Sequence, residues 1–346
     1  MTGVDSRVSG LCAAASEPVI AAELRSLARS GRLDLPLPGS GQTLERWRAL
    51  AEIAYADTVV GRLAEAHTDA TAILAEIDHG ATGRPSTELA VAPEQLWGVW
   101  AAEPPAPVLR AREVSEGWVL EGRKLWCSGA SMCTHALVTA EIDGQRALFA
   151  VALDRSVVRP VPHTWPAVGM RGSDSGAVDF DSAPARMIGD PGAYLSRPGF
   201  WHGAIGVAAC WYGSACAVAA TLHRSAAAGR ADDHALAHLG AVTASLSAAR
   251  DSLSVAAQAI DADPADLTGA GRLRARTVRA IVENAATDTL DRVGRALGAG
   301  PLCGDEAHAR RVADLTVYLR QSHAERDLAA LGRDQADKEF SWWPCP

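Results

Sequence analysis

The spacing of apolar residues changes twice along this chain, and these changes constrain its fold more than any other feature. Residues 17–30 and 42–80 carry apolar side chains at helical spacing. From Gln95 onward, short apolar runs alternate with turn residues, which predicts six to eight β-strands over roughly 96–185. After Pro191 the helical spacing returns. The chain is therefore expected to begin and end in helices, with a sheet between them.

The helical part after Pro191 opens with a nearly continuous apolar segment at 199–222, which predicts a helix buried on most sides. Further helices are predicted at about 233–262, 271–298 and 305–331. The predicted fold class is α+β, with three domains: an N-terminal helical domain (1–95), a middle β-domain with a barrel-like sheet (96–190) and a C-terminal four-helix bundle (191–346).

Composition argues against several classes of function. The 33 Lys and Arg residues against 41 Asp and Glu give a net charge of −8, without the basic balance typical of nucleic-acid binding. The apolar runs fall short of the roughly 18–20 residues that span a bilayer, so no membrane insertion is expected. No signal peptide is apparent, and the seven cysteines include no C-x-x-C pair. We therefore expect a cytoplasmic protein without a disulfide framework or a metal site.

The stretch from Gly117 to Ala130 has the sequence GWVLEGRKLWCSGA. Its alternation of apolar and polar residues, interrupted at Glu121-Gly122, predicts a β-hairpin with its turn at that pair. Trp126 and Ser128 are two positions apart, so on a strand both side chains lie on one face. There the indole can stack on a conjugated ring while the hydroxyl hydrogen-bonds the edge of that ring.

A second segment follows at Trp165–Tyr194, with the sequence WPAVGMRGSDSGAVDFDSAPARMIGDPGAY. Together, the two segments resemble the acyl-CoA dehydrogenase family, whose members carry a G-x-x-L-x-G-x-K-x-W hairpin and then a W-x-x-x-G-M-R-x-S-x-S strand. The resemblance extends from roughly Leu33 to Arg333 and is strongest at 117–213. Both motifs, in order and about the right distance apart, make it specific.

The resemblance implies FAD as the cofactor, with Trp126 and Ser128 at the positions that contact the isoalloxazine ring. Ala102 occupies the place of a threonine in the family's T-E-P segment, and the Gly-Ser-Asp that approaches CoA is missing. Two further cofactor-binding expectations concern the FAD pyrophosphate and adenosine. The family's pyrophosphate-binding arginine has no clean match, and the candidates to replace it are Arg224 and Arg230. Gly298 and Gly300 lie where the family has its glycine-rich adenosine loop.

The resemblance also indicates where the catalytic base is missing. Dehydrogenases of this family abstract a proton with a glutamate in a Y-x-x-x-E-G-T motif. Counting from Tyr318, Ser322 takes that position, followed by His323 and, one residue later, Glu325. Ser322 and Glu325 are three apart and would share a helical face, so Glu325 is a candidate base. His323 is the alternative, because imidazole transfers protons in both directions near neutral pH.

Three hypotheses follow. The first is an FAD-dependent oxidoreductase of the acyl-CoA dehydrogenase type, acting on an acyl thioester or a related small molecule. The second is a flavin-dependent monooxygenase on the same fold, in which a histidine transfers the proton. The third is a catalytically eroded subunit of a heteromer with a second family member. In the first two we expect a homodimer or homotetramer built through the C-terminal helices, since residues 199–222 are too apolar to face water.

Overall fold

The computed structural model of the protein describes residues 17–77 and 91–336. The chain divides into two compact units, each made of two stretches of sequence. The described residues of the first unit are 17–35, 57–77 and 91–200, and those of the second are 36–56 and 201–336. The tail at 339–346 lies outside the described residues.

The described helices and strands, in chain order, have the following bounds. The helices are α1 (Glu17–Arg29), α2 (Thr43–Ala56), α3 (Thr58–Ile77), α4 (Ala193–Ser196), α5 (Pro198–Ala227), α6 (Asp233–Ala262), α7 (Gly271–Leu297), α8 (Gly300–Gly304), α9 (Glu306–Tyr318) and α10 (Glu325–Ala336). The strands are β1 (Trp97–Trp100), β2 (Arg110–Val114), β3 (Gly117–Lys124), β4 (His135–Ile142), β5 (Gln145–Ala152), β6 (Val158–Val161) and β7 (Ala177–Ile188). All of these strands lie in the first unit, together with α1, α3 and α4.

The sheet of the first unit is built around β4. This strand pairs in parallel with β1 and β2 and antiparallel with β5. The ladder continues from β2 through β3 and β7 back to β5, so five strands close into a barrel, and β6 pairs with β7 beside it. Because side chains alternate across each strand, one set fills the interior, including the fully buried Leu120, Phe149 and Val178.

The predicted fold class, α+β with an N-terminal helical domain and a four-helix bundle, is wrong. The architecture is mixed α/β, with a closed five-stranded barrel and a C-terminal helical region. Helix α2 belongs to the second unit, where the Asp261 carboxylate on α6 accepts hydrogen bonds from the amide (3.1 Å) and hydroxyl (2.6 Å) of Thr43. Periodicity identifies helical residues but not their packing partners.

The order of helices, strands and helices along the chain is as expected. The predicted domain boundaries at 95 and 190 stay a prediction.

The predicted turn at Glu121-Gly122 is also wrong. Residues 117–124 form one strand, and the hairpin turn lies earlier, between β2 and β3. The pairing of β3 with β7 shifts register between Leu120 and Gly122, where Gly122 has φ +117°. Glycine adopts this backbone conformation readily, so the chain forms a β-bulge rather than reversing direction.

In the second unit, α2 and α5 approach each other closely through small residues. A Cβ added to Gly213 would lie 2.0 Å from the carbonyl oxygen of Ala51. The next residue of α5, Ser214, donates its hydroxyl proton to the carbonyl oxygen of Ala54 over 3.4 Å. Glycine at 213 therefore permits a helix contact that any side chain would prevent.

The C-terminal helices α6 and α7 confirm the predicted segments within one residue at each end. The third predicted segment, 305–331, is instead interrupted. Helix α9 ends at Tyr318, a turn of 3₁₀ helix covers Leu319–Gln321, and α10 begins at Glu325. Ser322, with ψ 135°, is extended and separates the two helices.

Helix α5 is the one helix in the described part of the chain that is long and apolar enough, by length and composition alone, to cross a membrane. In the structure, 72% of its most apolar window is buried within the chain. A core helix meets the same criteria. The apolar character of residues 199–222 is thus largely accounted for without a second subunit.

Candidate functional site

Two loops of the first unit dock against each other. We call residues 125–131 the tryptophan loop and residues 170–176 the serine loop. Three backbone hydrogen bonds and one to a carboxylate join them: Cys127 N to Gly176 O (2.9 Å), Gly129 N to Ser173 O (2.7 Å), Ala130 N to Asp174 O (3.2 Å) and Ser131 N to Asp174 Oδ2 (2.7 Å). The structure thus brings together the two segments that carry the family resemblance.

The docked loops hold several residues in the left-handed backbone region. Trp126 has φ +57°, Met170 +56°, Asp174 +42° and Gly129 +73°. For a residue with a large side chain, this conformation costs roughly 1–2 kcal/mol. Such conformations persist only where surrounding contacts enforce them, and they cluster at functional sites. The loop pair is therefore the strongest candidate site in the first unit.

Trp126 does not lie on a strand, because β3 ends at Lys124. Its side chain is 55% exposed, although Cys127 and Ser128 beside it are buried. The expectation that Trp126 and Ser128 share one face of a strand is therefore wrong. The structure instead has an exposed Trp126 and a buried Ser128, separated in sequence by the buried Cys127.

Ser128 belongs to a chain of hydroxyl groups. Its Oγ lies 2.8 Å from Ser175 Oγ, which lies 2.8 Å from Ser173 Oγ, and Ser173 donates to Met170 O over 2.7 Å. The Ser128 carbonyl accepts a hydrogen bond from Trp100 Nε1 at 2.9 Å. Sequence reasoning identified Ser128 but missed Ser173 and Ser175. The polar triplet Ser173-Asp174-Ser175 next to a buried strand was the available signal.

Ala102 is half-buried in the loop after β1, next to a buried ionic cluster. Lys124 Nζ donates to Glu103 Oε1 (2.8 Å) and to Thr139 O (2.7 Å), and the Thr139 hydroxyl also donates to Glu103. Burial lowers the pKa of Lys124, while its hydrogen bond to Glu103 opposes that shift. A pocket of about 30 Å³ borders Glu103 and Arg146. It has room for a water-sized ligand but not for a flavin ring.

The other predicted cofactor residues lie in the second unit. Arg230 is exposed in the link between α5 and α6. Gly298, with φ +63°, caps the C-terminus of α7, and its amide donates to Gly294 O over 2.9 Å. Gly300 begins α8. The glycines at 298 and 300 thus have a structural role as a helix end and a helix start.

The predicted catalytic residues lie between α9 and α10. Ser322 is extended, and its Oγ accepts a hydrogen bond from the Ala324 amide at 3.2 Å. The expectation that Ser322 and Glu325 share a helical face is therefore wrong. Glu325 is exposed in the first turn of α10. His323 instead pairs with Asp327: its amide donates to Asp327 Oδ2 at 2.9 Å, and its Nδ1 lies 3.6 Å from Oδ1. Asp327 is absent from the predicted site residues.

Arg279 on α7 fixes the segment that precedes Ser322. Its guanidinium donates to Ala204 O on α5 (2.8 Å) and to Gln321 O (3.3 Å), and it lies 4.5 Å from the centre of the Trp211 ring. One side chain therefore ties two helices of the second unit to the chain just before His323.

His67, on α3, has a packing role. His67 is buried, and its Nδ1 accepts a hydrogen bond from the Trp97 amide at 3.2 Å. Burial lowers its pKa to about 4. Within residues 17–77 and 91–336, no group of three or more His, Cys, Asp or Glu side chains is arranged to hold a metal ion.

The loop pair has features suited to one face and one edge of a flavin ring. Trp126 offers an exposed aromatic surface for stacking, and Ser128, which is 8% exposed, offers a hydroxyl group for a hydrogen bond. The residues present therefore fit a flavin.

No family model matches the chain. A stretch of 87 residues is 34% identical to dibenzothiophene monooxygenase of Rhodococcus erythropolis and to that of Rhodococcus qingshengii. The match covers 23% of this chain and 21% of those enzymes, so it spans about a fifth of the length of the curated relatives.

Three solved structures cover nearly all of the chain. The nitrososynthase of Micromonospora carbonacea var. africana has a TM-score of 0.76 at 22% identity, covering 92% of this chain and 93% of its own. TdsC of Paenibacillus sp. A11-2 with FMN and indole has 0.71 at 19%, covering 94% and 97%. The methanesulfinate monooxygenase MsuC of Pseudomonas fluorescens has 0.72 at 18%, covering 95% and 97%.

At these identities the likeness establishes the fold alone. The chain shares its fold with TdsC, the nitrososynthase and the methanesulfinate monooxygenase. The flavin present in the TdsC structures is FMN, not FAD.

Proposed function

We propose that this protein is a flavin-dependent monooxygenase that uses reduced FMN and O₂. The observation that carries the proposal is the docked loop pair, which exposes Trp126 beside the buried hydroxyl of Ser128. The likeness to FMN-bound TdsC supports the choice of chemistry. This reading corresponds to the second of the three hypotheses drawn from the sequence.

A reduced flavin supplies two electrons to O₂, so that one oxygen atom enters the substrate and the other leaves as water. The residues of the first unit bind and orient the ring: Trp126 by stacking and Ser128 through its hydroxyl. The hydrogen bonds that dock the two loops hold their backbones in place before the cofactor arrives. Such preorganisation spares the cost of ordering them during binding.

We propose His323 as the proton-transfer residue, held by Asp327. The carboxylate of Asp327 accepts the His323 amide hydrogen and lies 3.6 Å from Nδ1. It therefore orients the imidazole, as expected of a carboxylate beside a proton-transferring histidine. Nε2 is then the nitrogen that carries or releases the proton.

The acyl-CoA dehydrogenase hypothesis has less support than the monooxygenase hypothesis, because Ser322 stands where that family has its catalytic glutamate. Ser322 is engaged as an acceptor at the start of α10, and Glu325 faces solvent. A positioned base contributes typically about 10²–10⁴-fold to such a reaction. Without one, removal of an α-proton from a thioester lacks a group to perform it.

FMN is also preferred to FAD on the residues present. The FAD reading assigns Arg230, Gly298 and Gly300 to the pyrophosphate and adenosine. The two glycines already have structural roles at helix ends, and Arg230 is exposed in a link. FMN has no adenylate part, so we expect these three residues to be dispensable for flavin binding.

The substrate we propose is a small molecule with an oxidisable sulfur, nitrogen or aromatic carbon. Dibenzothiophene, methanesulfinate, indole and an amino sugar are named with the similar proteins.

A cytoplasmic location and a homodimer or homotetramer stay part of the proposal. Exposed apolar side chains on the second unit, among them Leu236 and Val255, favour association. Light scattering at micromolar concentration tests it, with a monomer as the contradicting result.

The proposal is tested by loading the protein with FMN and separating reduction from oxygenation. Under anaerobic conditions we expect no bleaching of the flavin by acyl-CoA thioesters and full reduction by a separate flavin reductase. His323→Ala should impair oxygen-dependent product formation and leave that reduction intact. The matched variant Glu325→Gln should leave both unchanged. Bleaching by acyl-CoA that Glu325→Gln abolishes would establish the dehydrogenase reading instead. If neither variant changes any flavin reaction, the eroded heteromer subunit becomes the leading reading.

A further inference from the structure

We infer that the serine loop fixes the hydrogen-bonding direction of Ser128, so that the site binds reduced flavin more tightly than oxidised flavin. The inference rests on the proposed function, since it assumes that Ser128 meets the flavin ring at N5. It assigns to Ser173 and Ser175 a positioning role that follows from counting hydroxyl protons.

The count begins at the buried end of the hydroxyl chain. Ser173 Oγ lies 2.7 Å from the carbonyl oxygen of Met170. A carbonyl oxygen carries no proton, and two oxygens at this distance repel unless a proton lies between them. The single hydroxyl proton of Ser173 is therefore committed to Met170.

The direction of the two remaining bonds follows from that commitment. Ser173 can only accept from Ser175 over their 2.8 Å separation, so the proton of Ser175 points at Ser173. Ser128 must in turn donate to Ser175 over 2.8 Å. All three hydroxyl protons point toward Met170, and the oxygen of Ser128 has only lone pairs to offer a ligand.

Flavin presents opposite groups to such an oxygen in its two redox states. N5 of the oxidised ring carries no proton and only accepts hydrogen bonds, whereas N5 of the reduced ring carries a proton and donates. An oxygen limited to lone pairs is satisfied by the reduced ring and left facing an acceptor by the oxidised one. Ser128, Ser173 and Ser175 are each 8% exposed or less, so water cannot easily replace the missing partner.

Ser173→Ala tests this directly and should be well tolerated. The Met170 carbonyl keeps its hydrogen bonds from Trp165 Nε1 (2.9 Å) and from the amide of residue 173 (3.0 Å), so no buried acceptor is stranded. In this variant the proton of Ser175 is free to turn to Ser128, and that of Ser128 can turn to the ligand. Ser175→Ala removes the hydroxyl group that accepts the Ser128 proton, so Ser128 can donate to the ligand directly. Ser156→Ala, in an exposed turn of the same unit, is the control.

The measurement is the dissociation constant of FMN in each redox state, with the reduced form measured anaerobically. We expect the wild type and Ser156→Ala to bind reduced FMN at least about tenfold more tightly, which raises the potential of bound FMN by about 30 mV for a two-electron couple. Ser173→Ala and Ser175→Ala should lose most of this preference by binding oxidised FMN more tightly. Ser128→Ala should also lose the preference for reduced FMN, but by binding reduced FMN more weakly and not by binding oxidised FMN more tightly.

The outcomes separate the two claims. If FMN binds but the wild type shows no preference, or Ser173→Ala and Ser175→Ala keep the wild-type preference, the inference is overturned and the proposed function stands. If FMN binds in neither redox state, the proposed function is overturned and this inference with it.

Discussion

The amide N–H of Gly129 donates to the carbonyl oxygen of Ser173 over 2.7 Å, and this bond lies at the centre of the contact between the tryptophan and serine loops. Gly129 has φ +73°, and a Cβ there would lie 2.8 Å from Cys133 Sγ and 3.4 Å from Leu63 Cδ2. The glycine thus serves both the backbone conformation and the packing beneath the loop.

Gly129→Ala should therefore destabilise the protein more than its backbone conformation alone explains. We expect a loss of about 2–4 kcal/mol in the free energy of unfolding, combining left-handed strain with overpacking against Cys133. Gly144→Ala is the matched control, because Gly144 has φ +80° in the β4–β5 turn and no described atom lies within 4 Å of an added Cβ. The control should lose only about 1 kcal/mol. Equal losses in urea unfolding would refute the packing argument.

Trp126→Ala should weaken FMN binding without affecting stability, because the side chain is 55% exposed and contributes little to the core. Loss of a stacked aromatic ring predicts an increase of about tenfold in the dissociation constant. Trp126→Phe should recover most of the affinity, and Leu267→Ala, at an 89% exposed position, should change nothing. Unchanged FMN binding in Trp126→Ala would mean that this loop is not the flavin wall.

Gly213→Ala should disrupt the second unit. The added methyl group would lie 2.0 Å from the Ala51 carbonyl oxygen, so α2 and α5 must separate. We expect at least about 3 kcal/mol of destabilisation, at the upper end of overpacking effects. Gly240→Ala on α6 meets no described atom within 4 Å and should stabilise by about 0.5–1 kcal/mol through helix propensity. Thermal unfolding of both variants distinguishes contact from propensity, and a stabilised Gly213→Ala would contradict the close contact.

His67 should make stability fall below neutral pH. Burial lowers its folded-state pKa from 6.5 to about 4, and protonation of Nδ1 would also remove its hydrogen bond from the Trp97 amide. The unfolded state therefore binds the proton first, so this contribution is present above pH 6.5 and is lost as the pH falls toward 4. Between pH 7 and pH 5 the loss is about 2 kcal/mol.

The matched variant for this effect is His67→Asn, whose side-chain oxygen can accept the Trp97 amide but does not titrate. The difference in unfolding free energy between pH 7 and pH 5, measured with urea, should be about 2 kcal/mol smaller than in the wild type. The same pH dependence in both proteins would show that His67 is not the group responsible.

The sequence predicted helices well where local signals mark both ends. Asp232 caps α6 by accepting the Ala235 amide, and Gly298 ends α7, so both segments agree within one residue. It failed where a single residue changes the geometry. Gly122 forms a bulge instead of a turn, and extended Ser322 interrupts a segment with continuous helical spacing.

The sequence motifs named two residues of the candidate site, whose role stays a prediction, but not the geometry of that site. The two motifs identified Trp126 and Ser128, because an aromatic ring and a hydroxyl at short spacing are a local pattern. The hydroxyl chain through Ser175 and Ser173 depends on loop docking between residues 47 positions apart. The pairing of His323 with Asp327 depends on where α10 begins. Neither follows from periodicity.

Labelled oxygen shows whether this protein transfers oxygen from a reduced flavin to a substrate. The FMN-loaded protein is reduced by a separate reductase and exposed to ¹⁸O₂ with indole, dibenzothiophene or methanesulfinate, and the products are analysed by mass spectrometry. We predict that one ¹⁸O atom enters at least one of these probes and that His323→Ala reduces the labelled product. Complete reoxidation of the flavin with no label in any probe, together with bleaching by an acyl-CoA thioester, would show that this protein is not a monooxygenase.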